Sequence, residues 1–284
     1  MISEASLKTS PPLSIVVPIY NNLQGVLKIV QWLGLLQMQE QVPLQVVFAD
    51  DASTEFNLPE ILRPPFQVLR NPKNFGFPKN CNEGARLADK LVNQNPEGLI
   101  LFLNSDVEML DQPNPYGFNS NFASIIREFE DPKVGIVGPR LLFANGTIQS
   151  VGGQYDVGKG PYHRFLGFNE PYGPADESKD VPWITGAVFA TRLSLFKDMG
   201  GFDEAYGSGY FEDVDYCEKV KQVGYRIRYC AESTFIHSVG NSSRNLDDVT
   251  AFKRAKQFRQ NSILFHSRYD PIIIPDVGSR LVNY

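Results

Sequence analysis

The sequence has few cysteines, no long hydrophobic run and no strong net charge, and each of these absences excludes a class of protein. Only three of the 284 residues are cysteines, without a CxxC spacing, so neither a disulfide framework nor a zinc knuckle is indicated. A net charge of −5 with both signs mixed is untypical of a general nucleic-acid binder. No stretch approaches the roughly 18 apolar residues of a membrane span, and the opening residues lack a signal-peptide pattern. We therefore expect a globular protein of the reducing cytoplasm.

A glycine-rich phosphate loop is also missing after the first apolar run. The segment PIYNN (18–22) has no GxGxxG and would keep a pyrophosphate away from the backbone, which argues against a dinucleotide-binding dehydrogenase. Residues 153–160, GQYDVGKG, resemble a P-loop, but Gly160 stands where Ser or Thr should bind Mg²⁺ and no helical pattern follows. The phosphates of a bound nucleotide would have to be held in another way, such as by a divalent cation that bridges phosphate and carboxylate oxygens.

Apolar runs and helical patterns alternate over the first hundred residues. Short apolar runs predict four strands, at 13–20, 44–49, 66–70 and 98–103. The spacing of apolar residues predicts helices over 24–40 and near 79–93. Strands separated by helices form βαβ crossovers, so the sequence predicts an α/β fold with a largely parallel sheet that helices cover on both faces.

The pattern changes beyond residue 130. Asn145-Gly146 predicts the tight turn of a hairpin, and the irregular stretch 152–182 is typical of a functional loop. YFEDVDYCEKVKQVG predicts a helix, and YRIRYC and STFIHSVG predict two strands. A basic amphipathic helix follows from about residue 247. Because no internal repeat or clear linker interrupts the sequence, we expect one domain with a C-terminal extension.

All four predicted parallel strands end in polar residues. The ends read PIYNN, ADDAST, RNPKNFGF and NSDVE, and two of them are acidic. Ligands of open parallel α/β sheets bind beyond the carboxyl ends of the strands, so these segments should converge around a ligand. Asp106 and Glu108 project from the fourth end, as the carboxylate ligands of a cation would. The alternative is an ordinary exposed turn, because Asp and Asn favour turns for backbone reasons.

Seven motifs in order give the sequence a specific resemblance. They are SIVVPIYN, VFADDAST, NPKNFGFPKNCNEG, LFLNSDVE, WITGAVFATRLSLFKDMGGFDE, YFEDVDYCEKVKQVGYRI and FIHSVGNSS, and they span about residues 13–243. The sequence resembles family 2 glycosyltransferases of the GT-A fold, nearest the bacterial rhamnosyltransferase-like branch. The resemblance implies one Rossmann-like, mostly parallel central sheet flanked by helices. The implied boundaries are a catalytic domain at 1–240, with a nucleotide-binding part at about 13–110 and an acceptor-binding part at about 111–240, and a C-terminal helical extension at 241–284.

The activity implied by the resemblance is an inverting transfer of a sugar from a nucleoside diphosphate to an acceptor hydroxyl. The branch favours dTDP-rhamnose or a UDP-sugar as donor and a glycan or lipid-linked saccharide as acceptor, in bacterial cell-surface polysaccharide synthesis. A divalent cation, Mn²⁺ or Mg²⁺, is the implied cofactor. Two alternatives stay open. One is a nucleotidyltransferase that makes an activated sugar, and the other is a non-catalytic sugar or lipid-carrier binding protein with the same fold.

The resemblance also assigns binding residues. Asp106 and His237 fall where the family binds the cation. Asn104 occupies the first place of the family's DxD motif, and this departure removes one negative charge and predicts a weaker cation requirement. The positions that the resemblance assigns to the nucleotide are Pro18, Tyr20, Asp50, Asp51, Asn74, Gly76, Lys79, Asn104 and Ser105.

One predicted helix offers three candidate general bases, Glu212, Asp213 and Asp215. At about 3.6 residues per turn, Asp213 shares the apolar stripe of Cys217 and should face the protein. Asp215 lies about 200° away, one turn before Lys219, and should face water in a surface ion pair. A single displacement with inversion needs one base to take the acceptor proton, and the family's ED pair also indicates Asp213.

Two further expectations concern the acceptor and a membrane surface. Trp183 and Glu212 are predicted to contact the acceptor, with Trp183 as an aromatic platform for a sugar ring; an ordinary core tryptophan is the alternative. The basic and apolar residues of the C-terminal helix fit peripheral contact with an anionic membrane that carries a lipid-linked acceptor. A packing helix with a solvated basic face is the alternative, and no nucleic-acid partner is expected.

Overall fold

Four parallel strands form the first half of the central sheet. The computed structural model describes residues 11–38, 44–109, 120–156, 160–238 and 248–273. The four strands are β1 (Leu13–Ile19), β2 (Leu44–Asp50), β3 (Gln67–Arg70) and β4 (Leu99–Leu103). β1 lies between β2 and β4, and β3 pairs with the outer side of β2. Every residue of β1 and β4 is buried, as expected for strands that helices cover on both faces.

Helices between these strands build a core on each face of the sheet. They are α1 (Leu23–Met38), α2 (Leu58–Ile61) and α3 (Phe77–Leu91). Val26, Ile29 and Leu33 of α1 pack on one face, and Cys81 and Ala85 of α3 pack on the other. Both sets follow helical spacing. The predicted α/β fold is therefore confirmed in this half, with element ends within a few residues of those expected.

The second half of the sheet is mixed rather than parallel. The added strands are β5 (Val107–Met109), β6 (Val134–Leu142), β7 (Ile148–Ser150), β10 (Lys179–Asp180), β11 (Val188–Arg192) and β12 (Arg226–His237), with β8 (Gly153–Asp156) and β9 (Gly160–His163) as a separate hairpin. The full strand order is β10-β12-β6-β11-β4-β1-β2-β3, in which β11 runs antiparallel to both β4 and β6. The strand β11 is not predicted by the sequence pattern, because its five residues lie in an apolar segment without a clear period.

Most predicted elements of the second half are present. β6 and β7 form the hairpin expected at Asn145-Gly146. The two strands predicted at YRIRYC and STFIHSVG are instead the single strand β12, whose register against β6 shifts between Cys230 and Thr234. A bulge of this kind places extra residues in one strand while its pairing with the neighbouring strand continues. The alternation of apolar residues is therefore interrupted within β12 although the strand does not end there. The helices are α4 (Ser120–Glu128), α5 (Leu193–Asp198), α6 (Glu212–Gln222) and α7 (Asp248–Ile273).

The C-terminal helix α7 packs on the domain through one of its sides. Phe265 and Tyr269 are buried, whereas Val249, Phe252 and Ile263 are more than half exposed. Among the helices that the described ranges contain, none has the length and apolar composition needed to cross a bilayer.

Candidate active site

Asparagine side chains join the loops that follow β1, β2 and β4. The backbone N–H of Asn21 donates to Ser53 Oγ (3.0 Å), and Asn21 Oδ1 accepts from the N–H of Thr54 (2.8 Å). Asn22 Nδ2 donates to both the carbonyl oxygen and Oγ of Ser105, each at 3.1 Å. These contacts make one polar edge of the sheet, which we call the rim. The strand ends therefore converge, as the sequence predicts.

The acidic pair after β2 is buried and holds neighbouring loops. Asp50 accepts from the N–H of Ser53 at 2.9 Å and forms an ion pair with Arg70. Asp51 Oδ2 accepts from the backbone N–H of Gly76 at 2.8 Å, which fixes the loop after β3. Both oxygens of Asp50 are thus engaged within the protein, so Asp50 supports the rim. Direct contact of either carboxylate with a nucleotide stays a prediction.

The other residues predicted at the nucleotide surround the same loop. Tyr20, which directly follows β1, is 47% exposed. Gly76 has φ of 87°, and a Cβ there would fall 2.2 Å from the carbonyl oxygen of Gly207, so only glycine fits. The ammonium group of Lys79 forms an ion pair with Glu204 at 3.0 Å. The remaining positions differ in exposure: Pro18 is buried, Asn104 and Ser105 are half-buried, and Asn74 is exposed.

A histidine and an aspartate face each other beyond the end of β4. Nε2 of His237 lies 3.0 Å from Oδ1 of Asp106. Gln149 orients the ring, because its Nε2 donates to the His237 carbonyl (3.0 Å) and its Oε1 lies 2.6 Å from Nδ1. The ring of His237 is thus held between an amide and a carboxylate, with Nε2 on the side of Asp106.

These residues fit a divalent cation held by few protein ligands. Oδ1 of Asn104, two residues before Asp106, is buried and has no hydrogen-bond partner among the residues that the structure describes. Carboxylate, amide and imidazole groups are ordinary ligands of Mn²⁺, and a cation of this kind usually completes its shell with substrate phosphates. No group of three or more His, Cys, Asp or Glu side chains that could hold a metal occurs within the described ranges. Glu108, expected to project here, instead pairs with Lys28 of α1 at 2.6 Å.

Asp213 is held by the segment that precedes β11. Its Oδ2 accepts from the backbone N–H of Gly186 at 2.7 Å, and the hydroxyl of Thr185 also donates to it. Burial raises the pKa of Asp213, although these hydrogen bonds favour its ionised form. Glu212 is buried, and its Oε2 has no partner within the described ranges; burial, followed by the charge of Asp213, raises the pKa of Glu212 well above the usual range. The pair therefore favours a neutral Glu212 beside an ionised Asp213 that is suited to accept a proton.

The expected orientation of Asp215 is wrong. This residue is fully buried, and its Oδ1 accepts from Tyr206 (3.1 Å), Tyr269 (3.0 Å) and Arg268 (2.8 Å). The predicted ion pair with Lys219 is present at 2.7 Å. The apolar spacing of α6 does not predict the burial of Asp215, because α7 packs over this side of α6. The periodicity of one helix carries no information about a second helix that covers its polar side.

Two neighbouring residues connect Asp213 to the end of β4. Gly186 donates its N–H to Asp213 at 2.7 Å. The carbonyl oxygen of Ala187, the next residue, accepts from the N–H of Asn104 at 2.9 Å. The carboxylate of Asp213 and the Asn104–Asp106 loop are thus attached to consecutive residues of the turn that precedes β11.

Asp51 joins the same rim through α3. Asp51 accepts from the backbone N–H groups of Phe75 (2.9 Å) and Gly76 (2.8 Å), and Gly76 directly precedes α3. Phe77, at the start of α3, would lie 3.5 Å from a Cβ placed on Gly186. The acidic side chains therefore border one region instead of separate surfaces.

Trp183 lies in the core beneath the β8–β9 hairpin. It is 4% exposed, its Nε1 donates to the Gln154 carbonyl (3.2 Å), and its ring centre lies 4.9 Å from that of His163. A Cβ at Gly153 would fall 1.9 Å from the indole, so the hairpin requires glycine there. This placement agrees with a core tryptophan, and contact with an acceptor stays a prediction. Burial also lowers the pKa of His163 to about 4, which keeps this ring neutral.

Three residues that position the rim carry no recognisable signal of chemistry in the sequence. Asn22 holds Ser105, Gln149 orients His237 and Gly186 binds Asp213. Gly186 stands in the motif WITGAV, which marks the segment without showing what it binds. Gln149 reaches His237 only through the pairing of β7 and β12 with β6, and sequence spacing does not predict that register.

A known protein family and several known proteins are similar to this chain. A sequence profile described as Glycosyl transferase family 2 matches residues 14–197. The O-antigen biosynthesis protein RfbC of Myxococcus xanthus is 26% identical over 250 residues, which make up 84% of this chain and 18% of that protein. The N-acetylglucosaminyl-diphospho-decaprenol L-rhamnosyltransferase of Mycobacterium tuberculosis is 23% identical over 230 residues, which make up 75% of this chain and 72% of that protein.

A solved structure has the same fold. The mannosyltransferase PcManGT from Pyrobaculum calidifontis, in complex with GDP-Man and Mn²⁺, superposes with a TM-score of 0.61 at 17% identity. The match covers 92% of this chain and 65% of that chain, which confirms the predicted GT-A fold. The match to the Myxococcus protein spans only 18% of that protein's length.

Proposed function

The chain belongs to glycosyl transferase family 2, and we propose that it moves a sugar from a nucleoside diphosphate to an acceptor hydroxyl with inversion at the anomeric carbon. Relatives named as a rhamnosyltransferase and as an O-antigen biosynthesis protein support dTDP-rhamnose or a UDP-sugar as donor. The same names support a glycan or lipid-linked saccharide as acceptor, in cell-surface polysaccharide synthesis. Neither relative's name favours a nucleotidyltransferase.

One structural observation carries the proposal. Gly186 binds the candidate base Asp213, and the adjacent Ala187 binds the loop of Asn104 and Asp106. An inverting transfer needs a base on one side of the anomeric carbon and charge stabilisation of the leaving diphosphate on the other. Attachment of both groups to consecutive residues fixes their separation, which supports a single-displacement mechanism.

In the proposed reaction, the acceptor oxygen bonds to the anomeric carbon as the bond from that carbon to the diphosphate oxygen breaks. The electron pair of the broken bond leaves with the diphosphate, and the hydroxyl proton passes to Asp213. Gly186 and Thr185 keep this carboxylate oriented and ionised before transfer. Glu212, kept neutral by burial, avoids a second negative charge beside the base.

A divalent cation is part of the proposal. Asp106, His237 and the carbonyl of Asn104 would hold it. When bound, the cation would supply positive charge that stabilises the leaving diphosphate. The single carboxylate among these ligands supports a weaker cation requirement than a DxD site would have.

The two ends of the rim suggest how the substrates divide between them. Tyr20, Asn74 and the loop held by Asp51 would contact the nucleotide, which supports a nucleotide-binding part at about 13–110. Glu212 and the β8–β9 hairpin over Trp183 support an acceptor-binding part at about 111–240. Residues 241–284 form the proposed C-terminal extension.

The outward side of α7 supports peripheral contact with an anionic membrane. Val249, Phe252 and Ile263 are 62%, 70% and 62% exposed. Lys256 and Arg259 fall on the same side, within about 80° around the helix axis. Such a mixed face suits anionic lipid headgroups. In a flotation assay, the native protein should float with phosphatidylglycerol vesicles, and the Phe252→Ser variant should not. Equal flotation of the native protein with phosphatidylcholine vesicles would contradict the role of the basic residues.

A donor screen tests the proposed function. Thermal shift with dTDP-rhamnose, UDP-sugars and GDP-mannose, each with and without Mn²⁺, should identify a donor that stabilises the protein by mass action. The selected donor is then incubated with lipid-linked and free saccharides, and release of the nucleoside diphosphate is measured. Pyrophosphate formed from a sugar 1-phosphate and a nucleoside triphosphate would instead show a nucleotidyltransferase and overturn the proposal.

A further inference from the structure

The turn that leads into Glu212 and Asp213 has an unusual backbone. Tyr210 and Phe211 have φ of 74° and 73°, a left-handed region that residues other than glycine rarely adopt. Consecutive residues in this conformation persist only where the surrounding structure holds them. The direction in which α6 begins, and with it the direction of both acidic side chains, depends on this turn.

Asn261 of α7 supplies such a restraint. The residue is 2% exposed, and its Nδ2 lies 2.8, 2.7 and 2.9 Å from the carbonyl oxygens of Tyr206, Gly209 and Tyr210. Gln257 donates to Asn261 Oδ1 at 2.7 Å, which fixes the end of the amide that faces the turn. The two N–H groups of one buried amide are thus shared among three carbonyl oxygens of the turn, and loss of this donor would be costly.

Two other contacts join α7 to the same end of α6. The ring of Phe211 lies 5.5 Å from that of Phe265. Arg268 donates to Asp215 at 2.8 Å, two residues beyond Asp213. Helix α7 therefore contacts the chain both before and after Asp213.

We propose that Asn261 is a positioning residue for the general base. It acts through the turn at 206–211 to hold Asp213 against the N–H of Gly186, and this inference rests on the proposed function. The carboxylate must stand within hydrogen-bond reach of the acceptor hydroxyl. A misplacement of about 1 Å by a distant change costs roughly 10²-fold in rate.

A double-mutant cycle separates positioning from a merely structural role. Asn261→Ala is measured alone and together with Asp213→Asn. In the native background we expect turnover to fall about 10- to 100-fold, whereas in the Asp213→Asn background it should fall less than about threefold, because no base remains to be positioned. Binding of the nucleoside diphosphate should stay within about threefold in every variant, because the hydrogen bonds of Asn261 to described residues go to the turn and to Gln257, and to none of the residues predicted at the nucleotide.

A control at the opposite end of the sheet corrects for lost stability. Arg192 donates to the carbonyl oxygens of Phe129 (2.9 Å), Asp131 (3.0 Å) and Val134 (3.0 Å). Arg192→Met therefore also leaves three carbonyl groups without their side-chain donor, and its turnover should stay near that of the native protein. If Asn261→Ala does not fold, Asn261→Ser, which keeps one donor, takes its place in the cycle with a smaller expected loss.

The outcomes distinguish this inference from the proposed function. Equal losses from Asn261→Ala in both backgrounds, or native turnover in Asn261→Ala, would overturn the positioning role while Asp213 remains the base. Native turnover in Asp213→Asn would overturn the base assignment and the positioning role together. A loss confined to the background with an intact Asp213 supports the proposal.

Discussion

Nε2 of His237 lies 3.0 Å from Oδ1 of Asp106, while Nδ1 of the same ring lies 2.6 Å from Oε1 of Gln149. An imidazole nitrogen and a carboxylate oxygen, both ordinary ligands of a divalent cation, are thus placed next to each other. Asn104, two residues before Asp106, adds a buried carbonyl oxygen but no charge. The ligand set is therefore weakly charged, and its affinity for a cation should depend on how firmly the histidine is oriented.

Gln149→Leu should lower the apparent affinity for Mn²⁺ about 10- to 100-fold, because partners that orient a ligating histidine contribute to this extent. The measurement is a Mn²⁺ titration of transfer at saturating donor. Gln154→Leu makes the same chemical change at an exposed side chain of β8 and should leave the titration unaltered. Transfer at the native rate under full chelation would show that the cation assignment is wrong.

Asn104→Asp should increase the affinity for Mn²⁺ by about tenfold or more, because it adds a second negative charge next to Asp106. The affinity can be measured by calorimetry in the presence of the nucleoside diphosphate. Asn145→Asp adds the same charge at an exposed hairpin turn and serves as the control. Unchanged or weaker Mn²⁺ binding in Asn104→Asp would mean that the carbonyl of Asn104 points to another ligand, such as a ribose hydroxyl.

Loss of the carboxylate charge should lower turnover much more at Asp213 than at Glu212. Asp213→Asn keeps the shape of the side chain and removes the proton acceptor, so turnover should fall roughly 10²- to 10⁴-fold with donor binding intact. Glu212→Gln mimics the neutral acid that burial favours and should lower turnover less than about fivefold. Steady-state rates at saturating donor and acceptor distinguish the two variants. The reverse ranking would transfer the role of base to Glu212.

Periodicity predicts the parallel half of the fold well and the mixed half less well. β1 to β4 are apolar runs separated by helices, so local pattern and crossover rules suffice for the first hundred residues. β11 is short, and its antiparallel place between β4 and β6 depends on contacts far apart in sequence. The continuity of β12 across its register shift is also set by the neighbouring β6. Local spacing does not contain this information.

The candidate site shows the same division between local and distant information. Convergence of the strand ends follows from the polar motifs, whereas the role of Asp213 as base, which helix geometry and the family's ED pair indicate, stays a prediction. The burial of Asp215 does not follow from the motifs, because α7 covers it from about fifty residues further along the chain. The partners of His237 and Asp213 are likewise a glutamine on another strand and a backbone N–H. Such groups are common in loops and strands, so their roles appear only in three dimensions.

His163 should make the protein less stable in mild acid. Burial lowers its pKa from 6.5 to about 4, so its contribution to stability is complete above the unfolded pKa and is lost as the pH falls towards 4. Between pH 7 and pH 5 this linkage amounts to about 2 kcal/mol of unfolding free energy. His163→Phe keeps a ring against Trp183 without a titrating group, so urea unfolding at the two pH values should show a smaller decrease for the variant. An equal decrease in both proteins would place the acid sensitivity elsewhere and contradict a neutral, buried His163.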